Sequence, residues 1–375
     1  VLGLAECAGR VAGAPPEGPA LVLEDTGERW PAFTRPDPAL GWRQEPGISS
    51  MDPVWTQWDR RFALGRPSDG AVHTNARGWR DDPVPAQKPA GERWVLALGD
   101  SSVWGSGCPP EERFSERLEA TLAPRSVEVW NAAVPGYSSW HARTVLDESA
   151  DLPLDGVLIY NMVSDMGDAR GVPDDLWFSS PARQRGTAVL LNSRLYGWLR
   201  FWVFRLRAAQ RLDRDPEMKL RVHVSQYADN LRTLAETARA RGMFVVGVIP
   251  PLRLDIEPGL PPYVPGDAAG RTEMRARLAE LAGRPSAEAG PVDYRMAMVL
   301  TFRELGVPVV DGPAALTAAH AAEPGRFAGA DQLFVDPVHP SSEGHRLLSE
   351  AIAPVLARVL DGGSGWQNGA APEPP

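Results

Sequence analysis

The sequence predicts an α/β protein in three layers, α/β/α, with helices on both faces of a mainly parallel five-stranded sheet. Three observations predict it. Five short apolar runs, at 94–98, 127–130, 156–160, 243–249 and 307–310, lack a helical period and favour β-branched and bulky residues, the pattern of strands covered on both faces. Stretches with apolar residues three and four apart lie between runs, so strands and helices alternate, which implies right-handed crossovers and parallel strands. Hydrophobic residues make up 43% of the 375, ample for a core, and one α/β domain commonly uses about 250 residues or more.

Residues 1–88 read as an irregular N-terminal segment, rich in Pro, Gly, Trp and Arg, with a few short strands. Two phrases stand out in it, Asp37-Pro-Ala-Leu-Gly-Trp42 and His73-Thr-Asn75-Ala-Arg-Gly-Trp-Arg80. Their tryptophans are read as filling a packing seam rather than binding sugar. The main domain spans 89–361. Its first strand runs into Gly99-Asp100-Ser101-Ser102-Val-Trp104-Gly105, a small polar loop bracketed by glycines. Phe114, Leu118 and Leu122 then mark a helix over 111–122.

The second strand leads into Asn131-Ala-Ala-Val-Pro-Gly136-Tyr137-Ser-Ser139, where Gly136 interrupts before a helix to about residue 148. The third leads into Asn161-Met-Val-Ser164-Asp165. Residues 169–228 read as an insertion or cap. Its stretch 195–206 is apolar almost all round, with Arg200 and Arg205 between, and suits packing on the sheet, capping a cleft, holding an acyl chain or touching a membrane.

Leu231, Leu234, Ala235 and Ala238 form a helical stripe before the fourth strand, which Pro250-Pro251 ends. A proline-rich stretch, 253–270, is placed at a cleft mouth. Helices are expected at 272–282 and 292–305, then the fifth strand. Phe334-Val-Asp336-Pro-Val-His339-Pro-Ser-Ser precedes a last helix carrying Leu347, Leu348, Ala351 and Ile352, with Ser341 or Ser342 as its cap. Residues 362–375 are expected to form a flexible Gly/Pro tail.

Charge and cysteine content narrow the function. A formal net charge of −9 argues against nucleic acid as a partner. Cys7 and Cys108 cannot build a disulfide framework, and no run of about 18 apolar residues spans a bilayer.

The chemistry sits in two loops. In an open α/β sheet ligands bind beyond the carboxyl ends of the strands, which makes Ser101 the candidate nucleophile. A serine hydroxyl needs a base, and the base a partner that fixes its tautomer. His339 and Asp336 supply both from one loop, which Pro337 and Pro340 keep out of helix. A metal site at Asp336 and His339 lacks a third ligand of fitting spacing, so no metal and no cofactor is expected. His73, His141, His223 and His320 are assigned ordinary surface or hydrogen-bonding work, and His345 a bracing position in the last helix.

Gly99-Asp100-Ser101-Ser102 followed by Gly105 and Gly107, together with Asp336-Pro-Val-His339 late in the chain, resembles the first and last blocks of the SGNH/GDSL hydrolase family. The resemblance covers about residues 89–361, and phrases similar to the two in residues 1–88 precede the catalytic domain in many SGNH proteins, which implies that 1–88 pack on it. It implies a flavodoxin-like SGNH fold and a serine esterase acting through an acyl-enzyme at Ser101, on an O-acyl ester of a carbohydrate, lipid or small metabolite. An O-acyltransferase, an amide-cleaving enzyme and a noncatalytic binding or assembly protein remain as alternatives. The Ser101 and Gly136 backbone N–H groups would form the oxyanion hole. Trp104, Tyr137 and Asp165 would line the substrate site.

The third block departs from the family's Gly-x-Asn-Asp: aligning Asp165 puts Met162 at the glycine and Ser164 at the asparagine. Ser164 or Asn161 would then supply the missing donor; loss of one donor costs about 2.7–4 kcal/mol, or roughly 10² to 10³ in rate. The first ten residues resemble the trailing end of an N-terminal anchor found in many bacterial SGNH proteins. That implies membrane proximity and a place outside the cytoplasm. Leu4-Ala-Glu-Cys7 is similar to a lipoprotein cleavage site, but Glu6 stands where a small residue is needed, so lipidation is not expected.

Overall fold

The computed structural model describes residues 34–37, 39–51, 71–167, 173–182, 184–186, 220–256, 268–282, 289–323 and 332–362. Two small antiparallel pairs come first: β1 (Thr34–Asp37) with β2 (Gly41–Gln44), and β3 (Ser49–Met51) with β4 (Ala71–His73).

The main sheet has five strands: β5 (Arg93–Gly99), β6 (Val127–Asn131), β7 (Gly156–Tyr160), β8 (Phe244–Ile249) and β9 (Val309–Asp311). All neighbours are parallel, in the order β6-β5-β7-β8-β9. Counting only these five, the order is 2-1-3-4-5, the doubly wound arrangement whose switch point lies between the first and third strands. The sheet is thus wholly parallel where a mainly parallel one was expected.

The helices are α1 (Ser101–Trp104), α2 (Phe114–Leu122), α3 (Ser139–Glu148), α4 (Asp174–Phe178), α5 (Val224–Ala240), α6 (Ala268–Ala282), α7 (Pro291–Glu304), α8 (Gly312–Ala322) and α9 (Ser342–Leu360). Alternation along β5 sorts them into layers. Trp94, Leu96 and Leu98 join one core with Leu146 of α3, Leu231 and Leu234 of α5, and Phe302 of α7. Val95 and Ala97 join the other, with Phe114 and Leu118 of α2, Leu316 of α8, and Leu348 and Ile352 of α9.

Several boundaries differ from expectation: α2 opens at Phe114 rather than 111 and β9 at Val309 rather than 307, and the starts of α5 and α6 move as well. α5 begins at Val224, inside the stretch assigned to the insertion, because His223 accepts the Ser225 N–H and caps it. α6 begins four residues before the expected 272. The helical stretch expected at 195–206, the leader before residue 34, most of the proline-rich segment and the tail beyond 362 lie outside the described residues. Among the described residues no helix is long and apolar enough to cross a membrane.

Candidate active site

β5 delivers its last residues to the switch point, and Gly99 lets the chain turn there at once. A Cβ on Gly99 would lie 2.3 Å from a Val103 methyl, so only glycine lets α1 fold back so closely. Asp100 caps α1, accepting the Ser102 N–H on Oδ1 at 3.0 Å. Its Oδ2 accepts the Ser164 N–H at 2.9 Å. One carboxylate thereby joins the loop after β5 to the loop after β7. Register supports this, since Gly99 pairs with Tyr160 and the two loops emerge side by side.

The histidine arrives from the other end of the chain. Val335 donates its N–H to the His339 carbonyl at 2.9 Å and Ser341 donates to the Leu333 carbonyl at 2.9 Å, closing residues 335–339 into a tight loop. Asp336 Oδ1 accepts the Val338 and His339 N–H groups, both at 2.8 Å, and Oδ2 lies 2.5 Å from His339 Nδ1. His339 Nε2 lies 2.7 Å from Ser101 Oγ. The two loops are also tied directly, Ser102 Oγ donating to the Val338 carbonyl at 3.1 Å.

Behind the histidine loop stands a buried ion pair absent from the sequence reading. Arg295 donates to both oxygens of Asp255, at 2.6 and 2.7 Å, and to the Pro250 carbonyl at 2.9 Å. This pins the turn after β8, where Arg253 N–H holds the Pro337 carbonyl at 3.0 Å. Burial alone would raise the Asp336 carboxyl, but the hydrogen bond and charge of His339 and two backbone N–H groups hold it below its ordinary value.

Of the candidate oxyanion donors, the Ser101 N–H opens α1 and has no partner in that helix. Gly136 sits in the loop after β6 with φ +82°, a conformation that suits glycine alone. Burial separates the last two. Ser164 is half-buried, whereas Asn161 is fully buried and both of its amide atoms lack a hydrogen-bond partner among the described residues.

Three expected substrate contacts are corrected, because each side chain is sealed inside and bound to the protein itself. Trp104 is 1% exposed, with the Arg80 guanidinium 4.2 Å from its ring centroid. Tyr137 is 2% exposed and its hydroxyl donates to the Trp42 carbonyl at 2.8 Å. Asp165 is fully buried; Ser139 donates to it from N–H at 2.9 Å and from Oγ at 2.5 Å, and burial pushes its carboxyl up to about 7. The loops after β6 and β7 are joined through that pair.

Two of the other histidines hold structure together. His141 is buried, with its pKa lowered to about 3 by loss of solvent, and closes the first turn of α3 with Ser138. His345 Nδ1 accepts the Phe114 N–H at 3.3 Å, and its ring stacks on Phe114. Among the described residues no group of three or more His, Cys, Asp or Glu side chains could hold a metal ion.

No family model matches the chain, and no curated protein matches it. Solved structures resemble it in arrangement. LAE5, an alpha/beta hydrolase enzyme from the metagenome of Lake Arreo, Spain, has TM-score 0.41 and 17% identity over 73% of this chain and 97% of its own. Axe2, an acetylxylan esterase from Geobacillus stearothermophilus, has TM-score 0.41 and 16% identity over 70% of this chain and 94% of its own. The psychrotrophic esterase EstA from Pseudoalteromonas sp. has TM-score 0.39 and 14% identity over 72% of this chain and all of its own. Activity and substrate are read from the site itself.

Proposed function

We propose that the chain is a serine hydrolase of carboxylic esters, of the SGNH/GDSL kind that its sequence blocks resemble. One observation carries the reading: Ser101 Oγ, His339 and Asp336 form an unbroken hydrogen-bonded line, at 2.7 and 2.5 Å. In this reading Asp336 holds the proton on His339 Nδ1, leaving Nε2 free to accept the hydroxyl proton as Ser101 Oγ attacks the ester carbonyl carbon. The tetrahedral oxyanion is held by the N–H groups of Ser101 and Gly136 and by the Ser164 hydroxyl, which is preferred to Asn161 for its exposure. Collapse expels the alcohol, which takes the proton from Nε2. Water then enters through the same base and frees the acid from Ser101.

The test is turnover of p-nitrophenyl acetate and longer acyl esters at neutral pH, wild type beside Ser101→Ala. Release that depends on Ser101 is the expected outcome, with chain-length preference reporting the acyl pocket. Release at equal rates from both proteins rejects the reading. Product analysis with an added alcohol distinguishes hydrolysis from acyl transfer.

A further inference from the structure

The proposed oxyanion donor at Gly136 is a backbone N–H on a residue with no side chain to hold it. The Tyr137 N–H closes a turn on the Val134 carbonyl at 3.0 Å, which puts the peptide between Pro135 and Gly136 at the middle of the turn, where the glycine lets it flip. Two side chains from distant parts of the chain hold it against flipping, one on either side.

Trp42 Nε1 donates to the Pro135 carbonyl at 3.3 Å. That carbonyl belongs to the same planar trans peptide as the Gly136 N–H, so the two point in opposite directions. Holding one aims the other. Trp42 also packs on the glycine: a Cβ there would stand 3.1 Å from the indole ring. The Tyr137 hydroxyl bonds the Trp42 carbonyl and keeps the indole in place.

On the other side, Arg221 Nη1 donates to the Gly136 carbonyl at 2.6 Å. Its Nη2 and Nε reach Asp174 Oδ2 and Oδ1, at 2.8 and 3.4 Å. Asp174 also accepts from Ser138 Oγ at 2.6 Å, two residues beyond the glycine. The Arg221 backbone N–H holds the Gly167 carbonyl at 2.8 Å, and the Val222 N–H that of Asp165 at 3.2 Å. Arg221 therefore spans from the Gly136 loop to the loop that carries Ser164.

We infer that Trp42 and Arg221 are positioning residues that clamp the Gly136 peptide with its N–H aimed at the developing oxyanion. The inference rests on the hydrolase reading for its chemistry, but the clamp itself is a mechanical statement. Trp42→Phe keeps an aromatic side chain but removes the N–H donor together with indole surface that packs on Gly136; Arg221→Gln removes the charge.

The experiment compares each variant and the double variant, first in turnover of an ester and its thionoester, whose sulfur is the poorer hydrogen-bond acceptor. Loss of one donor lowers rate by roughly 10² to 10³; a misaimed one is expected to lower kcat for the ester by about tenfold or more, with KM within about twofold. The thionoester rate is expected to fall less. Parallel loss on both substrates, or no loss, overturns the clamp's chemical role.

Second, the 15N order parameter of Gly136 is measured in the Ser101→Ala background, where activity plays no part. It is expected to drop from the rigid range near about 0.85 toward about 0.6 in the double variant. An unchanged value overturns the clamp outright. Loss of order without Ser101-dependent turnover in the parent protein faults the hydrolase reading and leaves the mechanical clamp standing.

Discussion

At the scale of single residues, the proposed reaction turns on which nitrogen of His339 carries its proton. Asp336 accepts on both oxygens, Oδ2 facing His339 Nδ1 and Oδ1 facing two backbone N–H groups. In Asp336→Asn the amide oxygen stays with the backbone donors and the amide nitrogen faces Nδ1, forcing the proton onto Nε2. That tautomer cannot accept from Ser101. The expected result is a fall in kcat of about 10³- to 10⁴-fold with the thermal transition nearly unchanged, read by ester turnover and calorimetry. That Ser101, Asp336 and His339 would meet was legible in the sequence, because strand-end position and a three-residue spacing speak locally; the structure joins them in one hydrogen-bonded line. Trp104, Tyr137 and Asp165 were misread because spacing says which residues are near a loop and not which way they turn. Arg221 was missed because its partner carbonyl is 85 positions away and its surrounding sequence has no period.

At the scale of elements, β6 is an edge strand, and α2 covers its open side. Glu119 of α2 accepts the Val129 N–H at 2.8 Å, satisfying a donor that the sheet leaves unpaired. Burial, reinforced by Glu116, pushes the Glu119 carboxyl up to about 9 from an ordinary value of 4.5. Between those two pH values the folded chain holds a proton that the unfolded chain releases, so this group's stabilising contribution declines as pH rises through the interval. Glu119→Gln keeps the acceptor oxygen and removes the titration. Calorimetry is expected to give matching Tm values near pH 5 and a rising advantage for the variant toward pH 9; an advantage that is constant with pH contradicts the assignment. The sequence marked α2 by Phe114, Leu118 and Leu122, yet the edge pairing was illegible, because strand order is a property of the sheet and not of any one strand.

At the scale of the molecule, strands and helices alternating along the chain were enough to predict three layers, and the sheet follows that alternation. The segment before the sheet was harder to read, since irregular chain is organised by long-range polar contacts. Arg80 shows how. Its guanidinium donates to the Trp104, Gly105 and Cys108 carbonyls at 3.2, 2.9 and 3.3 Å while lying over the Trp104 ring. The residue is 5% exposed, so Arg80→Ala takes a donor away from each of three buried carbonyls. We expect it to lower unfolding free energy by about 1–3 kcal/mol, measured by urea titration, and to lower the activity of the folded fraction, since those carbonyls end the helix that carries Ser101. No change in the urea midpoint would contradict this anchoring.

The central claim, that Ser101 is a nucleophile activated by His339, is tested most directly by reaction with a fluorophosphonate and peptide mapping by mass spectrometry. The account predicts a single adduct on Ser101 in the wild type and none on that residue in His339→Ala. Labelling of a different serine, or equal labelling of Ser101 with and without His339, would contradict it.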